Sequence, residues 1–227
     1  GSNPDSAQLK TINDAIDGAI VVPDRTVQLS GTATVLAAAL TGTVTNSANQ
    51  KINGNVTITG ANPTGAELAT INNGTDASII LPSKDFQLTG TAQEIAEGLA
   101  GTVTDSNGDK ISGDADGNSV RATSGAEFTP AQLQTVNNNL AGGRIRIRSR
   151  SSDFSGTAAV LSEAFDSTTG ATVTGPSSNG LLGNVTITGP NPTVDQLVKI
   201  NGTFGAFVFI PDASIPLSGS ASDLFTA

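Results

Sequence analysis

Two stretches of this chain hold side chains with the types and spacing that chemistry needs. The first is Arg144-Ile145-Arg146-Ile147-Arg148-Ser149-Arg150, which gathers four of the eleven basic residues into seven positions. On an extended strand side chains alternate between faces, so all four arginines project to one side and Ile145 and Ile147 to the other. A comb of guanidinium groups suits sulfate, phosphate or carboxylate, and an acidic polysaccharide presents such groups in series. The same pattern equally suits a strand that simply faces water, because charges keep an exposed strand soluble.

The second stretch runs from Asp105 to Asn118. Asp105, Asn107 and Asp109 have the one-three-five oxygen spacing of calcium loops, and Asp116 falls at the twelfth place, where such loops put a closing carboxylate. Lys110 stands where the calcium turn wants Gly, and Asp is a shorter closing ligand than Glu. An Asp/Asn/Gly-rich surface turn accounts for the same residues. The chain therefore requires no cofactor, and calcium is the one candidate.

Other chemistry is largely closed. With no Cys, His, Met, Trp or Tyr and only 8 Phe, the sequence lacks disulfides, thiol nucleophiles, imidazole bases and the soft metal ligands. Paired carboxylates are the catalytic route left. Yet Glu67 occupies the place of Gln8, Gln132 and Gln196, Asp24 that of Ser83, and Glu94, Glu97 and Glu163 fall on polar helix sides, so no pair stands out. The reading is that this is not an enzyme. A net charge of −9 argues against nucleic acid and anionic membranes as partners. The longest apolar runs, Ile79 to Leu81 and Ala206 to Ile210, are too short for membrane insertion.

The elements that must position these residues come from a repeat. Leu9, Leu68, Leu133 and Leu197 mark one place in four copies, 59, 65 and 64 residues apart. The copies divide the chain at 3–61, 62–126 (with the Asp/Asn/Gly-rich insertion), 127–190 and 191–227. The last is expected to be truncated, and Gly1-Ser2 to be a cloning scar. Each copy reads as two similar half-repeats of strand, glycine turn, short helix and strand. Val56-Thr57-Ile58-Thr59-Gly60 predicts a strand, Asn62 a helix cap with Pro63 at the first helical position, Leu68 and Ile71 the buried face, and Asn72-Asn73-Gly74 the helix end. Ile79 to Leu81 predicts the next strand. In the second half Phe86 to Gly90 predicts a strand, Thr91 a cap, and Ile95 with Leu99 the buried stripe ahead of Thr102-Val103-Thr104.

Helices of about ten residues are marginal alone and need cover from neighbours. The expected fold is an α/β repeat protein, a solenoid of short parallel strands and short helices with about 60 residues per repeat. The alternative is a string of small α+β domains, disfavoured because about 60 residues without disulfide or metal is near the lower limit for folding alone. Thr-x-Thr recurs at Thr43/Thr45, Thr57/Thr59, Thr102/Thr104, Thr172/Thr174 and Thr186/Thr188, and the pattern breaks at Val120-Arg121-Ala122-Thr123. Strand propensity explains the threonines.

The phrases Val-Thr-Ile-Thr-Gly, Leu-Ser-Gly-Thr-Ala and Ala-Ala-Leu-Thr-Gly-Thr-Val-Thr resemble the Thr/Ala/Gly-rich tandem arrays of giant secreted bacterial surface proteins, as in cyanobacteria and other marine bacteria. The resemblance spans the whole chain. It implies a cell-surface or extracellular location and a structural spacer or adhesive array. It carries over no functional residue. The expected partners are neighbouring repeats of the same chain and, through Arg144, Arg146, Arg148 and Arg150, an anionic surface polysaccharide. A ligand-binding module for calcium or such a polysaccharide is the alternative function.

Overall fold

The computed structural model describes residues 3–168, 170–176, 179–205, 207–212, 214 and 217. Gly1-Ser2, expected to be a cloning scar, and the residues from Ser218 on, where the fourth copy was expected to be truncated, lie outside the described residues, as does Ala206 of the second apolar run.

Seven helices and thirteen strands follow one another among the described residues. The first copy contains α1 (Ser6–Ala15), β1 (Ile20–Val21), β2 (Leu29–Gly31), α2 (Ala33–Leu40), β3 (Val44–Thr45) and β4 (Val56–Ile58). The second contains α3 (Gly65–Gly74), β5 (Ile79–Leu81), β6 (Leu88–Thr91), α4 (Ala92–Gly98), β7 (Val103–Asp105) and β8 (Asn118–Ser124). The third contains α5 (Pro130–Asn138), β9 (Arg144–Arg146), β10 (Phe154–Thr157), α6 (Ala158–Ala164), β11 (Thr172–Thr174) and β12 (Val185–Thr188). The fourth begins with α7 (Val194–Asn201) and β13 (Val208–Phe209).

The helices start where the sequence puts an acceptor side chain. Asp5, Thr64, Thr91, Thr129 and Thr193 each cap a helix, and each is answered three residues later by Gln8, Glu67, Glu94, Gln132 or Gln196 in a reciprocal capping box. Thr91 is the cap expected. Asn62 is not a cap: Thr64 holds that role and Pro63 precedes it, because the threonine hydroxyl is what reaches the Glu67 amide. The Glu/Gln interchange at this position also has a cause other than solvation. Both side chains carry an oxygen that accepts the N–H of the cap residue, and the box needs nothing more.

Every strand-to-strand ladder is parallel. Strands that precede helices pair with one another as β2–β4, β6–β8 and β10–β12. Strands that follow helices pair as β1–β3, β5–β7 and β9–β11, and β4–β5, β8–β9 and β12–β13 join the two rows. Each helix packs against its neighbours in sequence from α1 through α7. One face of the strands is buried beneath them: Val56, Ile79, Val120, Ile145 and Val185 are wholly inaccessible, as are Leu9, Leu68 and Leu133 of the repeated leucine position. A single apolar core runs from Leu9 to Phe204, closed near its far end by the mutually edge-on rings of Phe154, Phe165 and Phe204.

Polar bonds tie consecutive helices together. The Asn72 side chain does not merely end α3 but donates from Nδ2 to the Glu97 carbonyl of α4 at 2.8 Å. Asn13 does the same to the Ala38 carbonyl of α2 at 2.8 Å. Asn137, 3% exposed, donates to the carbonyls of Glu163 and Asp166, both at 3.0 Å, and accepts the Ala171 N–H at 2.6 Å. The carboxamide takes up C-terminal helix carbonyls that the next helix cannot satisfy itself. Gly42, Gly101 and Gly170 lie against these three amide oxygens, where a β-carbon would collide with Oδ1.

Two outcomes follow. Asn137→Ala strands buried carbonyls and an amide, and denaturant unfolding should show a loss of about 3 kcal/mol, against about 1 for Asn13→Ala, which breaks a single bond. Asp166, its side chain 8% exposed, pairs with Lys199 of α7 at 2.7 Å. Burial works to raise this carboxyl, but bonds from Lys199 and Thr168 outweigh it and hold it down to about 2, from an ordinary 3.8. The resulting stabilisation is complete above pH 3.8 and is lost as pH falls through about 2. It should amount to about 1–2 kcal/mol given the exposure of Lys199, and Asp166→Asn should remove that limb of an acid titration of stability.

Candidate functional site: an arginine cleft across two copies

The arginine-rich segment forms β9 and the loop after it. Burial alternates along it: Arg144 exposed, Ile145 buried, Arg146 half-buried, Ile147 buried and Arg148 exposed. Three of the four arginines thus share the outward face, as their period requires. Arg150 belongs to the turn beyond the strand and does not line the cleft described below. It is part of the frame: its carbonyl accepts the N–H groups of Leu182 and Gly183, as the Arg25 carbonyl accepts those of Asn53 and Gly54. Basic residues occur at this place in three copies, as Arg25, Lys84 and Arg150, so only Arg144, Arg146 and Arg148 are peculiar to the third.

Register adds a fourth arginine that the local pattern does not reveal. In the β8–β9 ladder Arg121 lies directly beside Arg146, and in the β9–β11 ladder Thr174 lies on its other side. The equivalent row where the first and second copies meet is Thr57, Ile80 and Thr104. Arg121, Thr123, Arg146, Arg148 and Pro176 border a cleft of about 250 Å³. Its walls come from β8 of the second copy and from β9 and later residues of the third. The one hint in the sequence was the break in the Thr-x-Thr pattern at Val120-Arg121.

Among the described residues none of these arginines forms an ion pair. Among the described residues, ion pairs join Lys10 to Asp14, Arg25 to Asp76, Lys84 to Asp85 and Asp109, and Lys199 to Asp166. Arg144 donates to the Asp116 carbonyl at 2.8 Å, and Arg148 to the Gly125 carbonyl. Glu127 approaches Arg148 but accepts its backbone N–H at 3.1 Å. The Nε of Arg146 and the hydroxyl of Thr174 are buried without a hydrogen-bond partner, and such unpaired groups are uncommon.

The four candidate calcium ligands fall in two separate turns. Asp105 ends β7, and its Oδ1 accepts the N–H groups of Asn107 at 2.8 Å and Asp109 at 2.9 Å; Asn107 Nδ2 donates to Oδ2. These backbone bonds, working against desolvation, hold the Asp105 carboxyl below its ordinary value. Asp109 turns toward Lys84 at 4.0 Å. Asp116 lies in a second turn of the same type, in which Asp114 Oδ1 accepts the N–H groups of Asp116 and Asn118. Among the described residues no three His, Cys, Asp or Glu side chains are grouped to hold a metal. No family model, no curated protein and no solved structure matches the chain.

The turn bonds give a direct check. Asp105→Ala should speed amide exchange at Asn107 and Asp109 by roughly tenfold or more while core amides stay protected. Millimolar calcium separates the two readings of the loop: a turn leaves the melting temperature unchanged, whereas a cation site raises it.

Proposed function

We propose that the chain is an α/β solenoid serving as a structural spacer or adhesive array in an extracellular bacterial surface protein, and that it has no catalytic role. The observation that carries this reading is the succession of contacts: each helix packs on the ones before and after it, and the strands of one copy extend the ladders of the last. A stack of this kind grows by adding copies without changing its cross-section, which suits a spacer. The surface-protein assignment rests on the Thr/Ala/Gly-rich phrases and on a chain rich in Thr, Ser and Asn with a net charge of −9. The described residues contain no helix long and apolar enough to cross a membrane.

Copy number is the decisive variable. In a nearest-neighbour stack the interfaces supply much of the stability, so the denaturation midpoint should rise from residues 62–126 to 3–126 to 3–227. A unit of residues 62–126 that unfolds at the midpoint of the full chain would instead identify independent small domains.

A further inference from the structure

We propose that the cleft bordered by Arg121, Arg146 and Arg148 is a binding site for a tetrahedral oxyanion, the sulfate- or phosphate-type group of a free ion or of a sulfated sugar. The site needs only the local sheet and stands whether or not the whole chain is a spacer.

The first reason is electrostatic. Arg121 and Arg146 are side by side in adjoining strands. Like charges directly across a ladder destabilise it, and native sheets ordinarily place opposite charges or apolar pairs there. Where the first and second copies meet, the uncharged Thr57 stands beside Ile80. Here two cations replace that pair, a third borders the same cleft, and among the described residues no carboxylate forms an ion pair with any of them. Asp114 feels the Arg146 charge, but its oxygens are occupied by Asn118 and by the amides of Asp116 and Asn118. Guanidinium groups keep their charge at any ordinary pH. An anion relieves the repulsion that the protein leaves in place.

The second reason is stereochemical. Arg146 borders the cleft and its Nε is buried and unpartnered; Thr174, beside it in β11, also has an unpartnered hydroxyl but does not line the cleft. Three guanidinium groups offer more donors than the roughly four acceptor sites of one carboxylate, and an oxyanion with three or four oxygens uses them better. Size restricts the ligand further. A volume of about 250 Å³ falls below the ~300–1,000 Å³ that encloses a whole organic ligand. It admits one charged group, with the remainder of any larger molecule lying outside along the exposed face that includes Arg144.

The test exploits the repeat itself. Arg121→Thr with Arg146→Ile installs the residues found at this place where the first and second copies meet, so the variant should fold and, in chloride alone, melt no lower than the parent. Sulfate strengthens any fold nonspecifically, so the readout is the difference between the two proteins at matched ionic strength. The parent should gain several degrees more than the double variant from millimolar sodium sulfate over sodium chloride. Calorimetry with sulfate should give a Kd that rises at least tenfold in the variant, while Arg150→Ser leaves it unchanged. A heparin-type sulfated oligosaccharide, titrated in parallel, distinguishes the sources. Tighter binding than sulfate, weakening steeply with salt, assigns the site to a sulfated sugar, whereas equal affinity assigns it to the free ion. Equal sulfate response in parent and double variant, or no sulfate heat in the parent, overturns the proposal.

Discussion

Everything in this molecule depends on helices too short to satisfy themselves. An α-helix leaves its last four carbonyls without internal partners, and in a helix of seven to ten residues those make up about half of the total. Water can take them only at the surface. Where the chain turns inward, the asparagine of the preceding helix does so, with Asn13 reaching α2, Asn72 reaching α4 and Asn137 reaching α6. That bond forms only if consecutive helices lie side by side. It fixes their order as firmly as the leucines beneath them fix their depth.

From this follow features that look unrelated in the sequence. The glycines at 42, 101 and 170 are small because an amide oxygen presses against their α-carbons. The threonine caps and their Glu or Gln partners keep the opposite helix ends closed. Parallel pairing follows because each helix carries the chain back to the same end of the sheet, so every strand enters in one direction. With the inner face fixed by Val56, Ile79, Val120 and Ile145, the outward positions are left free to vary from copy to copy.

The junction of the second and third copies uses that freedom. Its outward row replaces a threonine and an isoleucine by arginines while the buried valines and isoleucines beneath keep their places. Charge is concentrated on the face that the fold does not need, which is how a repetitive frame can hold a local site without rebuilding its core. The cleft exists only where two copies meet, since neither β8 nor β9 alone would form it.

Much of the frame was legible in the residues themselves. The spaced leucines Leu9, Leu68, Leu133 and Leu197 all lie buried in helices. The strand at Ile79 to Leu81, the cap at Thr91 and the buried Leu68 and Ile71 came from local patterns of two and three to four residues, which are fixed by backbone geometry within one element. Other features depended on partners 20 to 40 residues away. Asn72 as a bridge is one of these; Glu67 as the reply to Thr64, in a helix that starts two residues later than expected, and the division of Asp105 and Asp116 between two turns are instead local bonds that residue spacing alone does not single out. Arg121 shows the limit most clearly. Its own segment reads as a broken threonine pattern, and only the β8–β9 register sets it beside Arg146. Sequence periodicity determined which face each side chain takes, whereas the neighbour it meets there was decided by the packing that aligns one strand with the next.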